Sequence, residues 1–187
     1  MNQTGVISAT MLFFGVLGRL LPAETQKEPP KLERCSCFQV QAIHRYADVF
    51  LAGQPTAEGL TEAKKAGVRT VINLRAASEL DWDEKAQVER LGMNYVNVPI
   101  ASSEALTDEV FSRLRDVLKD HTRRPVLMHC HSAGRVGAAW LAYRALDDGL
   151  SVASAVEEAK TIGLRKEDYL RKAVDYVQRM QSKAEKP

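Results

Sequence analysis

A chain of 187 residues, 45% hydrophobic and 27% charged, has the size and composition of one globular domain with short appendages. Twenty-six Lys and Arg against 24 Asp and Glu leave a formal net charge of +2, too even to single out nucleic acid or an anionic membrane surface as a partner. Any affinity for an anion must therefore be local.

The first segment is apolar. "GVISATMLFFGVLG", from Gly5 to Gly18, has the length of an export signal and is followed by Arg19 and "LPAE", with Ala23 ahead of a cleavage position. Residues 1–23 are expected to direct export to the periplasm or beyond the cell. "MNQT" lacks the usual Lys or Arg, so an uncleaved apolar anchor or a plain tail in a cytoplasmic protein are the alternatives. No integral membrane domain is expected. Residues 24–38, with "PAETQKEPPK", read as a Pro-rich linker, residues 39–181 as the domain, and residues 182–187 as a tail. Cys35 and Cys37 are spaced C-x-C, too close for an easy disulfide loop and without the His or Cys partners of a zinc site. They are expected to be two thiols at the domain edge.

From there the pattern alternates. "DVFLAG" predicts a strand, and "TAEGLTEAKKAG" a helix capped by Thr56 and stopped by Gly67. A strand "VRTVINL", a helix from about Asp83 to Leu91, and a strand "NYVNVPI" follow. Thr107 caps a helix whose Val110, Phe111, Leu114, Val117 and Leu118 share one face. "PVLMH" predicts a short buried strand, and a helix is expected from Val136 to Asp148. Two more helices follow, one capped by Ser151 and one with Leu170, Ala173, Val174 and Val177 on one side. The implied fold class is α/β, with a mainly parallel central sheet between two layers of helices. Ligands in such sheets sit beyond the carboxyl ends of the strands, where "VLMHCHSAGRVGAAW" places Cys130.

If Cys130 ends a strand and Val136 opens a helix, the backbone between them curls with amides inward. His131, Ser132, Ala133, Gly134 and Val136 then form a cradle for a tetrahedral oxyanion, reinforced by the helix dipole. Arg135 adds a planar cation that holds two oxygens at once, and the same field favours a thiolate. Gly134 is expected to take the unusual backbone angle and Gly137 to allow close helix packing. The implied chemistry is covalent, by a cysteine nucleophile, with no metal and no cofactor.

These residues resemble the cysteine-dependent phosphatase superfamily, in particular the small bacterial dual-specificity-phosphatase-like domains also described as beta-lactamase-hydrolase-like. The blocks "FLAGQPTAEGL", "GVRTVINLR", "LGMNYVNVPI", "VLMHCHSAGRVGAAW" and "AKTIGL" carry the resemblance. It implies Cys130 as nucleophile, His129 as a neighbour tuning the thiolate, Arg135 as phosphate ligand, and a phosphorylated substrate whose class stays open. Three departures stand out. Four residues separate Cys130 from Arg135 where better-known members have five, Val136 replaces the usual Ser or Thr, and Ser102 and Ser103 stand where a general-acid Asp is usual. Glu104 or Asp108 is the substitute acid available nearby. Arg75 is expected either to line the pocket or to pair with Glu79 or Asp81; His44 and His121 read as ordinary surface or loop residues. The expected activity is hydrolysis of phosphate monoesters through a phosphocysteine. A rhodanese-like persulfide on Cys130 and a catalytically weak anion-binding module are the alternatives.

Overall fold

Short, mostly apolar runs buried on both faces suit strands covered from two sides, and Val49–Ala52, Thr70–Asn73 and Val126–His129, buried at every position, are such strands. The computed structural model describes Met1 and residues 30–184. The export reading of residues 2–23, residues 24–29 of the linker and the last three residues of the tail lie outside the described residues.

Among the described residues six strands, β1 (Glu33–Arg34), β2 (Ile43–Tyr46), β3 (Val49–Ala52), β4 (Thr70–Asn73), β5 (Asn94–Asn97) and β6 (Val126–His129), form one sheet in the order β1-β2-β3-β6-β4-β5. The run β3-β6-β4-β5 is parallel, while β1 and β2 add an antiparallel edge that periodicity did not announce. The α-helices among the described residues cover it: α1 (Ala57–Lys65), α2 (Glu84–Arg90), α3 (Asp108–Lys119), α4 (Gly134–Leu146), α5 (Val152–Ile162) and α6 (Glu167–Ala184). The larger core joins Ile72, Leu74, Met128 and Cys130 to α3–α6; the smaller joins Phe50, Val71 and Leu127 to α1 and α2. The α/β fold with a mostly parallel sheet between helical layers is therefore present.

The helix starts follow the caps. Thr56 accepts from the Gly59 N–H at 3.0 Å, Thr107 from Val110 at 3.4 Å and Ser151 from Ser154 at 3.1 Å, each contributing about 1 kcal/mol. Helix α4 has no polar face, since Val136 to Ala145 are all buried, so it runs through the domain rather than over it. A Cβ on Gly137 would stand 2.7 Å from the Ala159 carbonyl, so this glycine sets the approach of α4 to α5.

Four expectations are corrected. Helix α4 begins at Gly134 rather than Val136 and ends at Leu146. The unusual angle belongs to Ala133, with φ of 63°, because the residue before the helix must turn the chain and Gly134 is already helical. Cys35 and Cys37 are a disulfide: the chain folds over Ser36 and brings their Cα atoms to 5.6 Å, within bridging range. His44 is buried, because the antiparallel pairing of β1 with β2 places Arg34 opposite it on the face that the larger helical layer covers.

Candidate active site

The parallel register sets Ala52 and Asn73 beside His129, so β3, β4 and β6 end together and the loop after β6 rises from the middle of the sheet. Cys130 is the first residue beyond, almost wholly buried, with its N–H donating to the Ala52 carbonyl at 3.3 Å. The loop is clasped from both sides. Gln54 N–H donates to the His131 carbonyl at 3.2 Å, while Gly163, at φ of 146°, lies so close that a Cβ there would meet the Ser132 carbonyl at 3.0 Å. Ala133 then turns left-handed and α4 starts, leaving the N–H groups of Gly134, Arg135 and Val136 without intrahelical acceptors.

Arg135 is fixed by Glu79, which by its spacing was one of two candidate partners for Arg75. Its Nη1 donates to Glu79 Oε1 at 2.7 Å and its Nη2 to Oε2 at 2.6 Å, and Nη1 also reaches the Ile100 carbonyl at 2.8 Å. This two-pronged bond leaves the guanidinium little freedom. Glu79 is pulled down to a pKa of about 2, first by the hydrogen bond from Arg135. The Arg135 pKa is raised, first by that same bond, against the opposing effect of burial, with the Cys130 sulfur adding its attraction. The guanidinium and the sulfur thus share one electrostatic site.

Beneath the loop lies a polar cluster that sequence reasoning missed. His129 and Glu84 are both fully shielded from solvent, and His129 Nε2 lies 2.9 Å from Glu84 Oε1. Asn73 Nδ2 donates to the same oxygen at 2.8 Å, and Gln54 Nε2 donates to Oε2 at 2.5 Å. Burial alone would raise the Glu84 pKa, but the bonds from His129, Gln54 and Asn73 outweigh it and the net shift is downward. Glu84 escaped notice because it follows the cap Asp83, where an acid reads as ordinary compensation of the helix dipole.

A cavity of about 730 Å³ opens over the loop, and Cys130, His131, Ser132, Gly134 and Arg135 line it. Ala133 and Val136 are buried in the core below it. Arg75 is not part of the lining; it donates to Gln54 Oε1 and to the Glu79 carbonyl, and its Nε lies 3.6 Å from Glu79 Oε2. Neither substitute acid stands at the cavity. Glu104 is exposed in the 3₁₀ turn Ser103–Ala105, and its pKa is lowered, chiefly by a hydrogen bond with Ser102, the opposite of what a proton donor at neutral pH needs. Asp108 begins α3 and pairs with Arg179. Among the described residues lining the cavity, Glu79 is the sole carboxylate, and it is committed to Arg135. Among the described residues, no group of three or more His, Cys, Asp or Glu is placed to hold a metal ion.

Comparison with known proteins places this geometry. Two dual specificity protein phosphatases named TpbA, from Pseudomonas aeruginosa strains UCBPP-PA14 and PAO1, are 28% and 27% identical to the chain over 130 residues. Those residues are 69% of this chain and span 57% of the length of the relatives. A crystal structure of P. aeruginosa TpbA in complex with pTyr has a TM-score of 0.63 at 23% identity, covering 81% of this chain and 91% of the other. Tk-PTP in its active form has a TM-score of 0.58 at 21% identity, covering 70% and 92%. These structural likenesses show the fold. A family model described as "DSP-PTPase phosphatase fused to NAD+ Kinase" matches residues 39–176, the stretch from just before β2 into α6 that holds both the cysteine loop and Glu79, and the chain belongs to that family of phosphatase domains.

Proposed function

We propose that the domain hydrolyses phosphate monoesters through a covalent phosphocysteine. One observation carries the reading: at the end of β6, Arg135 is held in two-pronged contact with Glu79 and shares its site with the sulfur of Cys130, at the mouth of a cavity. In the first step the Cys130 thiolate attacks phosphorus, an S–P bond forms, and the ester P–O bond breaks with its electron pair on the leaving oxygen. Arg135 and the free amides that open α4 hold the phosphoryl oxygens as their charge redistributes. In the second step water attacks the phosphocysteine, gives up a proton, and releases inorganic phosphate and the thiolate. The buried Glu84–His129 pair holds the strand end from which the nucleophile projects.

With no carboxylate free to protonate the leaving group among the described residues that line the cavity, esters whose leaving group is already stable as an anion, such as aryl phosphates, suit the site best. TpbA, solved with pTyr, supports the same class of substrate. The Cys35–Cys37 disulfide favours an oxidising compartment, in keeping with export by the N-terminal segment. The test is to assay the full chain on p-nitrophenyl phosphate, and on thiosulfate with cyanide, beside Cys130→Ser. Phosphate release that vanishes in the variant supports the proposal; thiocyanate formation without phosphate release would replace it with sulfur transfer.

A further inference from the structure

The cavity carries more positive charge than one phosphate requires. Besides Arg135, its lining includes Arg34 of β1, Arg165 and Lys166 from the turn between α5 and α6, and the buried His44 of β2. None of the three cations has a carboxylate within 4 Å among the described residues. Arg34 donates only to the Gln41 carbonyl at 3.4 Å. Arg165 reaches the carbonyls of Lys160 and Leu164, and Lys166 lies 5.6 Å from the centre of the Tyr169 ring. Arg135, in the same cavity lining, is by contrast committed to Glu79, so these three are the lining cations left to meet an added anion.

His44 is the second observation. It is only 8% exposed, lines the cavity, and its Nδ1 has no hydrogen-bond partner. A buried polar atom left unpaired is costly, and a ligand that satisfies it recovers that cost. Burial first, and then Arg34, lower the His44 pKa, so the neutral ring acts as a hydrogen-bonding group rather than a fixed charge.

We propose that the cavity takes a compact phosphate ester bearing a second phosphate group, which Arg34, Arg165 and Lys166 hold around His44 while the first phosphate meets Cys130 and Arg135. The inference rests on the phosphomonoester reading above and names its substrate class. The cations line the cavity from two elements, the β1–β2 edge and the α5–α6 turn, and the buried His44 lies on the first of these, opposite Arg34 in the strand pairing. A peptide lying across the rim would leave His44 untouched, whereas a small ligand filling the cavity reaches all four. Ile162, Leu164 and Tyr169 on the helical wall give its carbon skeleton an apolar surface.

A matched pair of aryl esters tests this on the full chain: 1,4-phenylene bisphosphate against phenyl phosphate. Wild type is expected to favour the bisphosphate about tenfold in kcat/KM, a preference that shrinks with added salt. The double variant Arg165→Ala/Lys166→Ala, and separately Arg34→Ala, are expected to cut the ratio of the two kcat/KM values about fivefold. A wild-type ratio near one, or a ratio that neither variant changes, overturns the proposal; so does a preference for an acidic phosphotyrosine peptide over the bisphosphate. Absence of Cys130-dependent turnover of phenyl phosphate would instead count against the hydrolase reading. Calorimetric titration of Cys130→Ser with the two esters then decides the second-phosphate site alone, equal affinities being the result that removes it.

Discussion

Replacing Glu84 tests whether the buried cluster under the nucleophile is held by charge. In Glu84→Gln the side-chain oxygen can stay where His129 and Asn73 donate to it, but the new amide nitrogen then faces Gln54 Nε2. Gln54 cannot simply turn over, because its Oε1 already accepts from Arg75 Nη1 and reversal would set its nitrogen against the guanidinium. The part-buried Gln54 Nε2 keeps the Pro55 carbonyl at 3.1 Å but loses its bond to a charged group, at about 1.5–3 kcal/mol, and two charge-assisted bonds become neutral. The expected loss is about 2–3 kcal/mol for Gln and about 3–5 kcal/mol for Ala, which leaves three donors and an empty volume. Urea unfolding followed by far-UV circular dichroism reads this directly: at about 2 kcal/mol/M, the Gln variant should unfold about 1 M earlier than wild type. A midpoint within about 0.2 M of wild type would refute the reasoning, since it would mean that the carboxylate is neither charged nor needed by its three donors.

Other outcomes follow from single contacts. Gly137→Ala drives a methyl to within 2.7 Å of the Ala159 carbonyl and should destabilise the domain by about 1–3 kcal/mol, seen as a lower thermal midpoint. Glu79 has a folded-state pKa depressed from 4.5 to about 2, so its contribution to stability is complete above 4.5 and is lost as pH falls toward 2; denaturation curves of Glu79→Gln across that window should slope less steeply with pH than those of wild type. Without a free carboxylic acid at the cavity, kcat/KM for p-nitrophenyl phosphate should exceed that for an unactivated alkyl phosphate by about a hundredfold or more, and comparable rates would contradict this.

The parallel part of the sheet and the cysteine loop were legible because each rests on local rules. Apolar runs of four or five residues, caps at Thr56, Thr107 and Ser151, and a cysteine at a strand-to-helix junction fix themselves within a few positions of chain. What escaped depends on residues far apart. The antiparallel edge is two short strands, and β1, with only Glu33 and Arg34, has no periodicity to detect. Glu79 was visible as a partner for Arg75, four residues away, but its closer bond to Arg135 spans 56 residues and exists only because β4 and β6 end side by side. Glu84 reaches His129 across 45 residues for the same reason. The disulfide escaped because C-x-C spacing alone does not show the chain folding over Ser36.

The central claim is that phosphate passes through Cys130, and trapping it there tests that most directly. The full chain mixed with p-nitrophenyl phosphate, quenched in acid within a turnover and digested, should yield a phosphoryl group on the peptide holding Cys130, absent in Cys130→Ser. Inorganic phosphate released with no phosphopeptide formed, or a sulfur adduct in its place, would contradict the account.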